Sequence, residues 1–159
     1  MNKQQIISDA YRVFSSFARP EHFVENYNHC PECAEHDETM RKCPLLDIGP
    51  EQVGTVCWGP IPFLSKNAFG YVLPRLLEMA LENYYDRDSD TFIFQYLLAL
   101  TPLPEHRDFA HFSTEQIDIV CKSLYYIRDQ LRPVVKDACC EKYLDKAITM
   151  WEKLSKMGR

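Results

Sequence analysis

His29-Cys30-Pro31-Glu32-Cys33-Ala34-Glu35-His36 packs two thiols, two imidazoles and two carboxylates into eight residues. Cys30, Cys33 and His36 follow a Cys-x2-Cys-x2-His spacing. Two thiolates three positions apart at a turn or helix start grip one Zn²⁺, and an imidazole one turn later joins them. Tetrahedral closure needs a fourth ligand. Cys43 is nearest in sequence, with His29, His22, Asp37 or a more distant histidine as substitutes. Such an ion is expected to be structural, pinning this segment to the Gly/Pro-rich stretch that follows. A complete zinc finger would show a second well-spaced pair, which this chain lacks.

Two other readings of the same residues stay open. Cys-Pro-x-Cys at a helix N-terminus is similar to a dithiol active site, where the helix dipole lowers the first thiol's pKa. Enzymes of that kind carry the motif after a β-strand, and Asn26-Tyr27-Asn28-His29 makes a poor strand. Acidic surroundings are also expected to raise the thiol pKa. The plainest reading is a set of buried or surface thiols beside a solvated histidine. Glu32, Glu35 and Glu38 suit acid/base work, though a solvated acidic face is the commoner use of such spacing. His106 and His111 flank Arg107-Asp108-Phe109 without a nucleophile motif, and read as a polar loop. With no P-loop, GxGxxG, HExxH or GxSxG, binding is favoured over catalysis.

Charge points to the kind of partner. The formal net charge is −5. Between Glu21 and Glu38 stand six acids (Glu21, Glu25, Glu32, Glu35, Asp37, Glu38) and no Lys or Arg. This argues against a phosphate backbone and for a basic protein surface or a cation. Glu21, Glu25, Glu32, Glu35 and Glu38 are the expected contact residues for such a partner. A small acidic immunity protein or antitoxin that masks a basic toxin site is the concrete version; a thiol- or metal-dependent enzyme and a scaffold or regulatory subunit are the alternatives. Neither nucleic acid nor a membrane is expected as a partner. Seven cysteines, an odd number without a secretory signal, indicate the reducing cytoplasm rather than a disulfide framework.

These residues must be positioned by helices. Apolar positions recur at helical spacing over 3–17, from Ile6 to Phe17. A short turn is expected over 21–25, and a helix from Pro31 to a stop at Cys43-Pro44. Residues 44–64, punctuated by Gly and Pro, predict a short strand pair or an apolar loop. Ser65 caps a helix through residue 83, with a kink or break near Phe69–Gly70 caused by Pro74. Further helices are expected over 92–100, from the Ser113-x-x-Gln116 capping box to about 131, and from about Val134 to Met157. The whole chain, 1–159, thus reads as one all-α domain of five to six helices.

The Asn28–Asp37 segment, Trp58-Gly59-Pro60 and Phe63-Leu64-Ser65-Lys66-Asn67-Ala68-Phe69-Gly70-Tyr71-Val72-Leu73-Pro74 form a recognisable set. It resembles a bacterial family of small uncharacterised proteins with a Cys-x-Glu-Cys-x-Glu-His motif, a Trp-x-Pro loop and an aromatic segment ending Leu-Pro. Val72 departs from that pattern, standing where a second aromatic is expected. The resemblance implies no activity, but it marks Cys30, Cys33 and His36 as the positions that matter.

Overall fold

A computed structural model describes residues 2–102 and 107–158; His106 lies outside them. The described residues form eight α-helices: α1 (Lys3–Phe14), α2 (Pro31–Arg41), α3 (Pro50–Val53), α4 (Lys66–Leu81), α5 (Phe92–Leu100), α6 (Thr114–Gln130), α7 (Arg132–Asp137) and α8 (Glu141–Met157). Among the described residues there is no sheet; the only β pairings are two isolated bridges. No described helix is long and apolar enough to cross a membrane.

Helix α4 is the hub. It packs on α1, α5 and α6, while α8 closes the bundle against α6 and α5. Eleven of its sixteen residues are buried, so apolar burial more than intrinsic propensity holds it together. Pro74 does not break it. A proline ring crowds the carbonyl four residues earlier, and that residue is Gly70. A Cβ on Gly70 would meet the Phe17 ring at 2.5 Å, so the glycine is also what lets α1's trailing aromatic lie flat on α4.

Caps set the helix ends much as their residue types predict. Ser65 Oγ accepts from Ala68 N at 3.1 Å. Ser113 and Gln116 form the reciprocal capping box, and Gln116 Nε2 donates onward to the Val13 carbonyl of α1.

Three expectations are corrected. Residues 21–25 form no helix; Val24 instead makes an antiparallel bridge with Leu64. Residues 44–64 hold α3 and two short 3₁₀ turns rather than a strand pair. The single final helix is two, α7 and α8, because Cys139 adopts a left-handed φ of 52°. The amides of Cys139 and Cys140 then bond back to the carbonyls of Lys136 and Val135, the Schellman pattern usually completed by glycine. Asn83 ends α4 in the same way, at φ 54°. Of the adjacent thiols, Cys140 is buried and Cys139 exposed.

Residues 44–64 pack on the core through Ile48, Val53, Ile61 and Leu64 but leave Val56, Trp58 and Phe63 exposed. The loop from Gly54 to Gly59 is closed by Thr55 N donating to the Trp58 carbonyl at 2.8 Å. Only glycine fits either end. A Cβ on Gly54 would lie 2.1 Å from the Trp58 oxygen, and one on Gly59 would lie 2.2 Å from the Val53 oxygen.

Candidate metal centre

The Val24–Leu64 bridge builds the site's frame. Glu25 N donates to the Phe63 carbonyl, and Ser65 N to the Phe23 carbonyl, so the segment before α2 is laced to the start of α4. The chain then turns through Asn26–His29, closed by His29 N on the Asn26 carbonyl at 2.9 Å. Cys30 follows in extended conformation as the N-cap of α2, with Pro31 in the first helical position.

At this cap the ligand atoms of His29, Cys30 and Cys33 lie within 4.8 Å of one another. Zinc bonds of about 2.0–2.3 Å at tetrahedral angles place ligand atoms about 3.5–3.8 Å apart. Small side-chain rotations therefore suffice to close the three around one ion. The donor set, two sulfurs and one imidazole, is the type zinc takes.

Electrostatics divides the thiols. Cys33 N donates to Cys30 Sγ at 3.4 Å. This bond, with further ones from the His29 and Cys33 side chains, brings the Cys30 thiol down to about 7. Cys33 is pushed up, first by its hydrogen bond to Cys30, then by burial and by the negative charges of Cys30 and Glu32. The expectation that acidic surroundings raise the thiol pKa thus fails at Cys30, while Cys33 is raised. An N-terminal amide of α2 points at that sulfur, and near contacts outweigh distant solvated carboxylates.

Of the four residues expected from the sequence to hold the ion, the structure gathers Cys30 and Cys33. Among the described residues neither His36 nor Cys43 joins them; His29 does. His36 is 4% exposed, its ring stacked on Phe63 and tilted against Trp58 at centroid distances of 5.7 and 5.2 Å. Its Nε2 stands 3.4 Å from Glu32 Oε1 without hydrogen-bond geometry, and is the one buried side-chain polar atom with no partner among the described residues. Cys43 is buried at the other end of α2, its thiol aimed at the Pro44 carbonyl; burial, then Asp47, pushes its pKa up. His29 was legible only as a substitute ligand, because adjacency to Cys30 is no periodic signal and a tight turn is needed to fold it back.

Asp37 also takes a different part. It is 3% exposed. Its Oδ1 accepts from Phe23 N at 2.6 Å and Val24 N at 3.0 Å, and its Oδ2 pairs with His22 Nδ1 at 2.7 Å. Burial pushes its pKa up, but the hydrogen bonds from His22 and the two amides outweigh burial and hold it below the ordinary value. The acidic stretch therefore shows five carboxylates outward, not six. Glu21, Glu25, Glu35 and Glu38 are exposed and Glu32 is partly so. Glu38 is engaged by Lys42 at 2.6 Å.

A cleft of about 740 Å³ borders the centre, with His29 and Cys33 in its wall and Phe63, Lys66, Asn67 and Arg107 around it. Arg107 attracted notice in the sequence only as a neighbour of two histidines. His111 is not part of this cleft's lining; its ring contacts Phe17 and Phe112, and burial lowers its pKa.

No curated protein and no solved structure matches the chain. One family model does, over residues 2–154, nearly the whole fold, including every residue of the candidate centre. The chain belongs to that family, DUF6714, a family of unknown function.

Proposed function

We propose that this chain is a transition-metal-binding protein, with zinc as the natural ion and His29, Cys30 and Cys33 as its protein ligands. The supporting observation is the convergence of those three ligand atoms within 4.8 Å at the wall of an open cleft. The soft sulfurs select against Mg²⁺ and Ca²⁺, which take oxygen ligands. A Cys30 thiol near pKa 7 loses its proton to the ion at little cost near neutrality. All three ligands come from residues 29–33, so the ion ties one turn to one helix start and does not reach the 44–64 loop. Three protein ligands leave one exchangeable position, as in open zinc sites. Elemental analysis after purification without chelators is expected to give about one zinc per chain. Cys33→Ser and His29→Ala are expected to abolish it. Metal-free protein that takes up no zinc on reconstitution would sink the reading.

A protein-binding role is favoured by a second observation. Val56, Trp58 and Phe63 are exposed on the glycine-closed loop and the turn after it, and His36 links Trp58 and Phe63 to Glu32. Exposed aromatic residues with the carboxylates of Glu25 and Glu32 nearby suit a basic protein surface. An immunity- or antitoxin-type inhibitor is the specific form of this proposal. Under it, co-expression should rescue cells from a toxin encoded beside this gene, and Trp58→Ala should weaken the rescue. Full rescue by that variant would remove the aromatic face from the argument.

A further inference from the structure

The cleft that meets the candidate metal centre is lined by His29 and Cys33 together with Ser65, Lys66 and Asn67 at the start of α4, and Arg107. Arg107 is 7% exposed. Its Nη2 donates to the carbonyls of Ile61 and Leu64 at 3.1 and 3.0 Å, and its guanidinium lies 4.0 Å from the Phe69 ring centroid. Among the described residues no carboxylate lies within ion-pair distance of it, and no group accepts from its Nε or Nη1. Among the described residues its hydrogen-bond partners are neutral carbonyls, burial of a guanidinium so held is costly, and here burial lowers its pKa to about 10. A fixed, incompletely neutralised guanidinium is a pre-organised receptor for a planar carboxylate or a phosphate group.

The neighbouring groups carry the same sign. Lys66 is the first residue of α4, whose sixteen residues direct the positive end of their dipole toward the cleft. Its present partner, Asp108 at 2.8 Å, is about half exposed, and so is Lys66 itself, so the lysine can exchange partners at small cost. Among the described residues Glu25 is the only carboxylate in the lining. In a chain of net charge −5, this cleft is locally cationic. A zinc ion held by two thiolates and an imidazole adds no net charge there, yet still needs a fourth donor.

We propose that the cleft binds a small oxyanion, a carboxylate or phosphate group, with one oxygen in the ion's exchangeable position and the others on Arg107 and Lys66. The inference rests on the metal reading above and names what that site takes. Binding is plain ligand exchange: the anion replaces a water at the ion and no bond within it is broken.

Cobalt(II)-loaded protein, titrated separately with inorganic phosphate and with succinate, provides the test. Thiolate-to-cobalt charge-transfer absorption on loading reports the metal site alone; its absence would overturn the metal reading and this proposal with it. With the metal in place, one of the two anions is expected to shift the visible cobalt bands at concentrations below about 10 mM. Which anion does so identifies the headgroup. Arg107→Gln is expected to weaken that binding about ten- to a hundredfold without changing the anion-free spectrum. Because Arg107 is buried and its loss can unfold the chain, exposed Lys66→Gln serves as the second variant, with an expected loss of about threefold to tenfold. Unchanged cobalt bands with both anions would overturn the proposal. So would phosphate or succinate binding metal-free protein as tightly as loaded protein.

Discussion

In the second half of α2, Asp37 accepts two backbone amides and a histidine, all within 3.0 Å, and the loop at Phe23–Val24 is fixed to the helix as a result. One turn earlier, the ligand atoms of His29, Cys30 and Cys33 sit up to 4.8 Å apart, joined within the protein by one long N–H···S contact and by the His29 and Cys33 side chains at the Cys30 sulfur. Both are polar clusters built against the same eleven-residue helix, and both include a buried residue. The difference lies in saturation. The carboxylate has its hydrogen-bond needs met by the fold, so its work is structural. The thiols and the imidazole hold lone pairs that the fold leaves unused, at the edge of a cleft, and those are free for a ligand.

The largest expected effect tests the saturated end. Asp37→Asn replaces a charged acceptor by an amide that cannot satisfy all three donors, and should cost about 2–4 kcal/mol in chemical denaturation near neutral pH. Metal affinity should be unchanged. The sign of the pH dependence follows from the lowered pKa. The unfolded carboxyl, near its ordinary 3.8, takes up protons before the folded one does. The stability Asp37 adds is therefore fully present above that value and is lost as pH falls through the folded pKa. Asp37→Asn should be both less stable at neutrality and flatter across the acid limb. A variant as stable as the parent would remove the contrast between the two ends.

A smaller effect is expected from His36, which lies between the two clusters on the helix. Nε2 is buried without a partner, and an unmet buried polar atom destabilises. His36→Phe keeps an aromatic ring against Phe63 and Trp58 while removing that atom, and should stabilise the metal-free protein by about 0.5–1.5 kcal/mol. A loss of zinc stoichiometry in the same variant would show that this imidazole swings into the coordination sphere after all, as the Cys-x2-Cys-x2-His spacing suggests.

That spacing shows what the sequence conveys and what it leaves out. Apolar residues at helical intervals, Ser65, Pro31 and the Ser113–Gln116 pair each carry their own local cause, and the helices they announce are where they should be. The α7–α8 break was hidden because a cysteine, Cys139, takes the left-handed position where glycine is the usual signal. The candidate site was half legible. Cys30 and Cys33 meet because a cap and the first helical turn are local geometry, which spacing encodes. His36 lies one turn beyond Cys33, and aromatic packing by Phe63 and Trp58, from a loop twenty residues downstream, decides where its ring rests. Arg107 meets the cleft through long-range bonds to the Ile61 and Leu64 carbonyls; no periodicity reports that.

The smallest stability effect should come from the open end, and its chemistry makes it the sharpest test. Cys30 is an N-cap by its sulfur, and serine is among the best N-caps, so Cys30→Ser should change metal-free stability by no more than about 0.5 kcal/mol. Reactivity should change far more. With its thiol near 7, Cys30 is about half thiolate at neutral pH, whereas Cys33 is raised and buried. Iodoacetamide should therefore label Cys30 first among residues 30–43, at a rate whose pH profile has its midpoint near 7, and Cys30→Ser should eliminate that phase. Zinc should suppress labelling by occupying the same lone pair. Fast labelling that persists in the zinc-loaded protein would mean that the sulfur is not a ligand, and the open end of α2 would then be a reactive dithiol instead of a metal centre.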